Sequence, residues 1–304
     1  MIQLNVVNET SRLKAVVLGI AQSNGPTPTP AACYDPSSLM HVKAGTYPLE
    51  PQMLKELSAL EAVFKRYNVT VFRPHIIPDC NQIFARDVAF VIEDKIIKSN
   101  ILPDCENEFS AMSHILEQID SRKIIELPEA CHIEGGDVIL FNDYLFAGVY
   151  TGPDYSDFIT ARTNQKAIDA LKSLFPHKTL KTFELKKSNT EPQENALHLD
   201  CCFQPIGQGK ALIHKAGFLN PLDCQFLEDL FGKENLFQAS KTEVAAMNCN
   251  VFSISEDVVV SEQNFTRLNQ WLRLQGFIVE EVAYSEISKQ GGLFRCSTMP
   301  LIRT

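Results

Sequence analysis

The sequence lacks an excess of positive charge. Its 304 residues include 28 Lys and Arg against 37 Asp and Glu, which gives a formal net charge of -9 at pH 7. A surface of this sign repels nucleic-acid phosphates and anionic membranes instead of recruiting them. We therefore expect no nucleic acid and no membrane among the partners.

Paired cysteines, a leader and long apolar runs are also missing. The nine cysteines are odd in number and contain no CxxC pair, which is typical of reduced thiols rather than of a disulfide framework. The first residues, MIQLNVVNETSRLK, have neither the basic segment nor the apolar core of a signal peptide, and no apolar run approaches membrane-spanning length. A cytoplasmic protein is predicted. No interdomain linker is visible, so residues 1–304 are predicted to form one domain.

What is present is a repeated pattern of two strands, a helix and a further strand. Two apolar or β-branched runs around a short polar turn predict a hairpin at four places. These hairpins cover residues 88–100, 137–149, 202–214 and 250–262. Apolar residues at helical spacing follow each hairpin, in residues 109–119, 165–175, 221–231 and 265–275. A short strand follows each helix, so the unit recurs four times at intervals of roughly fifty to sixty-five residues.

The two ends of the chain supply a fifth copy. Residues 13–20 and 69–74 are predicted strands, and residues 50–67 have apolar residues at helical spacing. The missing first strand is predicted in residues 297–303. The fold class is therefore α/β, a five-bladed α/β propeller of ββαβ repeats in which the chain ends meet. The longest irregular stretch, residues 21–48, is predicted to be a lid, a binding loop or a disordered segment, and substrate selectivity is expected to lie there.

Polar residues stand just before each hairpin, where the repeats make their positions equivalent. These residues are Asp87, Glu134, His198 with Asp200, Asn248 with Cys249, and Cys296. In a closed ring they lie on one rim near the axis. A thiol, an imidazole and three carboxylates are therefore predicted to converge.

This set of side chains suits attack on a planar cation. A cysteine attacks as the thiolate, and a nearby imidazole can take its proton or stabilise the anion, which are the predicted roles of Cys296 and His198. A carboxylate such as Glu134 can orient the imidazole. Asp87 and Asp200 beside a nucleophile are costly unless a cation lies between them. A guanidinium, with its fork of N–H donors, satisfies both carboxylates.

Each residue also has a plainer interpretation. Cys296 can be a small buried apolar residue, and His198 a surface or hydrogen-bonded histidine. The EGGD segment 134–137 can be an ordinary turn whose glycines adopt positive φ angles, and Asp87 can pair with Arg86 on the surface. The shared repeat position of these residues favours a common site.

Five segments together resemble the guanidino-group-modifying, or pentein, superfamily, which includes arginine deiminase, dimethylarginine dimethylaminohydrolase, arginine dihydrolase and glycine amidinotransferase. The resemblance covers nearly the whole chain. The segments are NQIFARD (81–87), EGGD (134–137), RTNQ (162–165), ALHLD (196–200) and GGLFRCSTMPL (291–301). The fold that this resemblance implies is a five-bladed α/β propeller, in agreement with the repeat count.

The resemblance also implies a role for each residue. The catalytic residues would be Cys296, His198 and Glu134, and the substrate-binding residues Asp87, Asp200, Asn81, Phe84 and Arg162. In the family the two aspartates grip the guanidinium, the asparagine helps to bind the amino-acid end, and the arginine can bind the substrate carboxylate. A small guanidino compound is the implied partner. No metal and no other cofactor is expected, and the oligomeric state is left open, with a homodimer as one alternative.

Departures from the family motifs reduce the number of candidate activities. Methylarginine hydrolases usually carry a non-acidic residue at the position of Asp200, and bacterial deiminases place an arginine at that of Gly291. The leading hypothesis is hydrolysis of free arginine or a close analogue through a covalent thiouronium on Cys296, which releases ammonia and citrulline and, after a second cycle, ornithine. The alternatives are amidino transfer to an amine, hydrolysis of a methylarginine, and a non-enzymatic propeller related to ribosome anti-association factors.

Overall fold

The computed structural model describes residues 1–100 and 105–304, which contain five three-stranded sheets of one design. In each sheet the middle strand pairs antiparallel with one neighbour and parallel with the other. This is the topology of a ββαβ unit. The predicted five-bladed α/β propeller is confirmed.

The five sheets are numbered here as blades in chain order. Blade 1 contains Thr298–Arg303, Leu13–Leu18 and Thr70–Phe72; blade 2, Ala89–Ile92, Lys95–Lys98 and Ile124–Ile125; blade 3, Val138–Phe141, Tyr144–Val149 and Thr179–Glu184; blade 4, Phe203–Pro205, Ala211–Ile213 and Leu236–Gln238; and blade 5, Phe252–Ser255, Val258–Glu262 and Ile278–Val282.

Helices connect the second and third strands of every blade. They are Glu50–Arg66 in blade 1, Cys105–Ser110 and Ser113–Leu116 in blade 2, Gln165–Leu174 in blade 3, Pro221–Phe231 in blade 4 and Thr266–Leu274 in blade 5. The connection of blade 1 contains a further α-helix, Pro36–Ala44, and two short α-helices, Ala85–Val88 and Lys241–Ala245, precede blades 2 and 5. Short 3-10 turns span Pro30–Ala32, Ser121–Lys123, Gly135–Asp137, Pro192–Glu194, Leu199–Cys201, Lys215–Gly217, Lys233–Asn235 and Ile287–Gln290.

The blade 2 helix differs from the prediction of one helix over residues 109–119. The chain tightens at Met112, whose N–H bonds to the carbonyl of Phe109, three residues back, at 3.0 Å. A hydrogen bond to the carbonyl three residues back is typical of a helix terminus. Two short helices therefore replace the single predicted one.

Blade 1 joins the chain ends. Leu18 pairs with Thr298 and Val16 with Pro300 in an antiparallel ladder, so the strand predicted in residues 297–303 is confirmed. The proline has no N–H to donate, and it lies in an edge strand, where this loss is tolerated.

Two predicted hairpin turns show why the short polar residues stand there. Glu93 and Asn142 adopt φ angles of 54° and 51°, in the left-handed region that tight turns require.

The helix Glu50–Arg66 shows how the blades are covered, because it buries Leu60 and Phe64 completely. Burying a side chain of this size contributes roughly 1.5–3 kcal/mol. No helix in the described ranges has the length and apolarity needed to cross a membrane.

Candidate active site

The segments that lead into four blades meet at one place. Asp87 leads into blade 2, Glu134 into blade 3, and His198 with Asp200 into blade 4. Cys296 lies two residues before the first strand of blade 1. The structure places these five residues close together, and their contacts define the site.

His198 is buried between two carboxylates. Its Nε2 lies 2.5 Å from Oε2 of Glu134, and its Nδ1 lies 3.8 Å from Oδ1 of Asp87. Burial alone lowers the pKa of His198, but the attraction of Asp87 and the hydrogen bond to Glu134 outweigh it and raise the pKa to about 9. The imidazole is therefore protonated at neutral pH and can act as an acid.

The glycines of the EGGD segment serve close packing. A Cβ on Gly136 would lie 2.5 Å from Nδ1 of His198, so only glycine lets the imidazole approach. Neither Gly135 nor Gly136 has a positive φ angle, so the interpretation as a turn with left-handed glycines is wrong.

Asp137 of the same segment ties two other motifs together. Its Oδ1 accepts the N–H of Leu199 at 2.9 Å, and its Oδ2 accepts the hydroxyl of Thr163 at 2.7 Å. These contacts hold the RTNQ and ALHLD segments beside each other. The sequence interpretation assigned no function to Asp137, although its place in the motif was a usable signal.

Glu134 forms a buried ion pair with Arg162. Nη1 of Arg162 lies 2.9 Å from both carboxylate oxygens. Burial raises the pKa of Glu134, but the charges of Arg162 and His198 outweigh burial and lower it to about 2. Arg162 also donates from Nη2 to the carbonyl of Tyr34 at 2.8 Å and from Nε to that of Ile159 at 3.1 Å. The predicted carboxylate-binding arginine is thus engaged with the protein itself.

Asp200 is paired with a cation of the chain. Its Oδ2 lies 2.8 Å from Nη1 of Arg295, the residue before the predicted nucleophile, and both side chains are fully buried. Arg295 also reaches Glu9, at 3.0 Å from Nη2, and the carbonyl of Val138 at 2.7 Å. The sequence interpretation expected the substrate to supply the positive charge beside Asp200, and it overlooked Arg295.

Asp87 has no arginine or lysine partner within the described residues, and its ion-pair partner is His198, 3.8 Å away. Its Oδ1 is buried without a hydrogen bond, and the residue borders a cavity. Burial, despite the attraction of His198, raises the pKa of Asp87 to about 7. An unsatisfied buried carboxylate in a native site calls for an explanation such as a ligand.

Cys296 is buried and is held by an asparagine of blade 5. Nδ2 of Asn250 lies 3.2 Å from Sγ, while its Oδ1 accepts the backbone N–H groups of Arg295 and Cys296 at 3.0 and 3.2 Å. Sγ also lies 3.8 Å from Oδ2 of Asp200. Burial and then the charges of Asp200 and Asp87 raise the pKa of Cys296. Within the described residues no hydrogen bond joins this thiol to His198.

Asn250 is the residue that sequence reasoning missed in blade 5. The repeat comparison pointed to Asn248 and Cys249. A turn precedes Asn250, closed by the hydrogen bond from its N–H to the carbonyl of Met247 at 2.9 Å. The residue that contacts Cys296 is therefore two positions later than Asn248. The sequence signal for Asn250 was an amide side chain two residues before the first strand of blade 5.

A cavity of about 350 Å³ opens beside these residues. Five predicted residues line it: Asn81, Phe84, Asp87, Glu134 and Arg162. His198, Asp200 and Cys296 are buried and do not line it. The ring of Phe84 packs on Gly292, in the segment before Cys296, so closely that a Cβ there would lie 2.5 Å from Cε1. Nδ2 of Asn81 donates to Gln290 of the same segment at 2.6 Å.

The predicted lid, residues 21–48, forms part of the cavity wall. Asp35 caps the helix Pro36–Ala44 by accepting the N–H groups of Ser37 and Ser38, each at 2.9 Å, a contact worth about 1 kcal/mol. The hydroxyl of Ser37 donates to the carbonyl of Lys289 at 3.1 Å. Residues 21–48 are thus fastened to the segment before Cys296.

Two groups of three side chains could hold a metal ion, because in each group the potential ligand atoms lie within 4.8 Å of one another. They are His198, Asp200 and Cys201, and Asp87, Glu134 and His198. In the first group Asp200 already binds Arg295, and in the second Glu134 already binds Arg162. These arginines supply positive charge of the kind a metal ion would bring.

Five ββαβ blades around a cysteine, a histidine and acidic side chains define the class of protein, an enzyme of the guanidino-group-modifying, or pentein, superfamily. Residues 49–303 match the model of the family described as "N,N dimethylarginine dimethylhydrolase, eukaryotic", and the chain belongs to this family.

Relatives agree with this assignment. The chain is 31% identical to the uncharacterized protein YkgA of Bacillus subtilis (strain 168) over 225 residues, 73% of this chain and 70% of that protein. It is 28% identical to the arginine deiminase of Bacillus cytotoxicus over 209 residues, 56% of this chain but 47% of the deiminase. The product-bound N-terminal domain of ArgZ, a cyanobacterial arginine dihydrolase, superposes with a TM-score of 0.77 at 18% identity, over 95% of this chain and 97% of that one.

Proposed function

We propose that the chain is a cysteine-dependent hydrolase that acts on the guanidinium group of a small cationic substrate, such as arginine or an analogue. The observation that carries the proposal is a buried thiol, held by an amide, beside an aspartate whose carboxylate has an oxygen without a hydrogen bond. A guanidinium offers the N–H donors and the positive charge that this arrangement lacks.

Substrate binding is what activates the thiol in this account. Without a ligand, burial and two aspartates keep the pKa of Cys296 high. A guanidinium between Asp87 and Sγ offsets both effects, since opposite charges about 4 Å apart attract by roughly 4 kcal/mol at an effective dielectric constant of 20. The thiol therefore releases its proton to solvent when the cation arrives, and the thiolate forms. Asn250 stabilises it by its N–H donor.

The chemistry then proceeds in two halves. Sγ of Cys296 forms a bond to the guanidinium carbon, and the imidazolium of His198 gives a proton to the leaving nitrogen, whose bond to carbon breaks. Nε2 of His198 is hydrogen-bonded to Glu134, so the proton that is transferred comes from Nδ1. The neutral imidazole next takes a proton from water, the resulting hydroxide attacks the same carbon, and the thiolate departs. Arginine would yield ammonia and citrulline, and a second cycle would yield ornithine.

A panel of guanidino compounds tests the proposal. The wild-type protein, Cys296→Ser and Cys224→Ser are each incubated with the panel, and the products are identified by mass spectrometry. Cys224 is a matched control, because its thiol contacts the carbonyl of Lys215 in blade 4, away from the site. Ammonia with a ureido product from the wild type and Cys224→Ser, and none from Cys296→Ser, is the expected result. Equal product from all three proteins would contradict the proposal.

Hydrolysis of a methylated arginine is a second candidate, favoured by the description of the matching family model. It would release a methylamine in place of ammonia from the same intermediate. The same panel separates the two reactions by the amine released. Amidino transfer is recognised by a new guanidino compound that forms without ammonia and only when an acceptor amine is present.

A further inference from the structure

The guanidinium of Arg162 bonds to three separate segments through its three nitrogens. Nη1 lies 2.9 Å from both carboxylate oxygens of Glu134, Nη2 donates to the carbonyl of Tyr34 at 2.8 Å, and Nε donates to that of Ile159 at 3.1 Å. Tyr34 belongs to residues 21–48, and Glu134 leads into blade 3. The side chain is 3% exposed. Its planar fork of donors therefore joins the predicted lid to a carboxylate of the active site.

The bonds of Glu134 extend this link to the imidazole. Its Oε2 accepts from Nη1 of Arg162 at 2.9 Å and lies 2.5 Å from Nε2 of His198. Burial raises the pKa of Glu134, and the charge of Arg162 is the largest of the effects that lower it to about 2. Glu134 therefore stays ionised in one orientation, and it fixes the ring of His198 in turn.

Arg162 has little left to offer a substrate. Four of its hydrogen bonds go to protein atoms, and an arginine has five N–H donors. A substrate carboxylate could form the two-pronged contact that arginine favours only by displacing Tyr34 or Glu134. The bonds already present thus favour a role within the protein.

The bond from Arg162 to Tyr34 is supported by a second contact of residues 21–48. Three residues further on, the hydroxyl of Ser37 donates to the carbonyl of Lys289 at 3.1 Å. This part of the predicted lid is therefore fixed both to Arg162 and to the segment that leads to the nucleophile. Any movement of Tyr34 away from the site must break its bond to Arg162.

We propose, on the basis of the proposed function, that Arg162 is a positioning residue and not a substrate ligand. It holds Glu134 in place for His198, and it makes the position of this pair depend on the seating of residues 21–48 against the cavity. The acid is correctly placed only while Tyr34 contacts Arg162.

Arginine and argininamide, which lacks the carboxylate, test this role. We expect Arg162→Lys to lower kcat about 100-fold for both compounds, the cost of misplacing a reacting group by about 1 Å, with KM changed less than about threefold. A rise in KM confined to arginine would show that Arg162 binds the substrate carboxylate and would overturn the proposal. Arg267→Lys is the matched control, because Arg267 also bonds to a carboxylate and a carbonyl, those of Glu243 and Gln238, away from the site. Its kinetics should equal those of the wild type.

Amide hydrogen exchange of the unliganded proteins tests the link to the predicted lid without any turnover. Exchange in residues 34–44 should be faster in Arg162→Lys than in the wild type and unchanged in Arg267→Lys. Equal exchange in all three proteins would overturn the proposal. Turnover of neither compound by the wild type would count against the proposed function, and the exchange measurement would then test this proposal by itself.

Ser37→Ala covers the case in which Arg162→Lys does not fold. It removes a contact of residues 21–48 without touching Arg162. Exchange in residues 34–44 should rise and kcat should fall by about fivefold, the size of one hydrogen bond. An unchanged kcat would overturn the proposal.

Discussion

The two aspartates of the site are satisfied in opposite ways. Asp200 belongs to a buried network in which Arg295 binds both its carboxylate and that of Glu9. Asp87 borders the cavity, and its Oδ1 faces His198 at 3.8 Å but accepts no hydrogen bond. Buried charges are usually paired, so a pair formed within the chain belongs to the framework. A carboxylate oxygen left without a hydrogen bond at a cavity indicates a place for a cationic ligand.

The largest effect expected from this comparison is on stability. Asp200→Asn leaves Arg295 buried without one of its two carboxylate partners, and breaking a buried ion pair costs roughly 3–5 kcal/mol. Urea unfolding should show a loss of this order. A loss below about 1 kcal/mol would mean that Asp200 is not part of the framework.

Asp87→Asn should separate activity from stability. Burial outweighs the attraction of His198 at Asp87 and raises its pKa to about 7, so removing this charge should leave the free energy of unfolding unchanged or higher. Turnover should fall by about 100-fold, comparable to the loss of one preorganised electrostatic contact. Unfolding and steady-state kinetics on one preparation check both. Loss of stability matching that of Asp200→Asn would remove the distinction between the aspartates.

His198 gives a pH dependence of stability with a definite sign. Its pKa is raised in the folded protein from an ordinary 6.5 to about 9, so its contribution is complete below pH 6.5 and is lost as the pH rises through 9. The pKa of Asp87, raised to about 7, adds no further change above that pH. Between pH 7 and 9 the wild type should lose roughly 1–3 kcal/mol relative to His198→Gln. A constant difference between the two proteins would contradict the pairing of His198 with its carboxylates.

Asn250→Ala is expected to have the smallest effect of the four. It removes the hydrogen bond to Sγ of Cys296, worth about 1 kcal/mol or somewhat more to the anion, and the acceptor of the Arg295 and Cys296 backbone N–H groups. We expect kcat/KM to fall about tenfold and alkylation of the thiol to shift to higher pH. Asn248→Ala is the control, because its side chain makes no contact with Sγ. Equal effects of the two substitutions would show that backbone order alone explains them.

Local pattern was enough to predict most of the fold. Polar turns at Glu93 and Asn142 lie between runs that form strands, and the pairing of residues 297–303 with Leu13–Leu18 followed from counting the repeats. The helix of blade 2 was predicted less well, because the tightened turn at Met112 has no strong sequence signal.

The site was predicted through the repeat positions and the family motifs, but its internal pairing was not. Arg295 meets Asp200, which lies 95 positions away, and Glu9, which lies 286 away. Such pairing depends on how the segments entering blades 1 and 4 meet, and no local pattern encodes it. Arg162 shows the same limit, since no local pattern encodes its bond to Glu134.

The most direct test of the central claim is to trap the intermediate. The protein is mixed with a guanidino substrate, quenched in acid within one turnover and digested, and the peptides are analysed by mass spectrometry. The account predicts an amidino-type adduct on Cys296, present in Cys224→Ser and increased when the pH limits the second half-reaction. Substrate turnover with no adduct on any cysteine, or an adduct on a different cysteine, would contradict it.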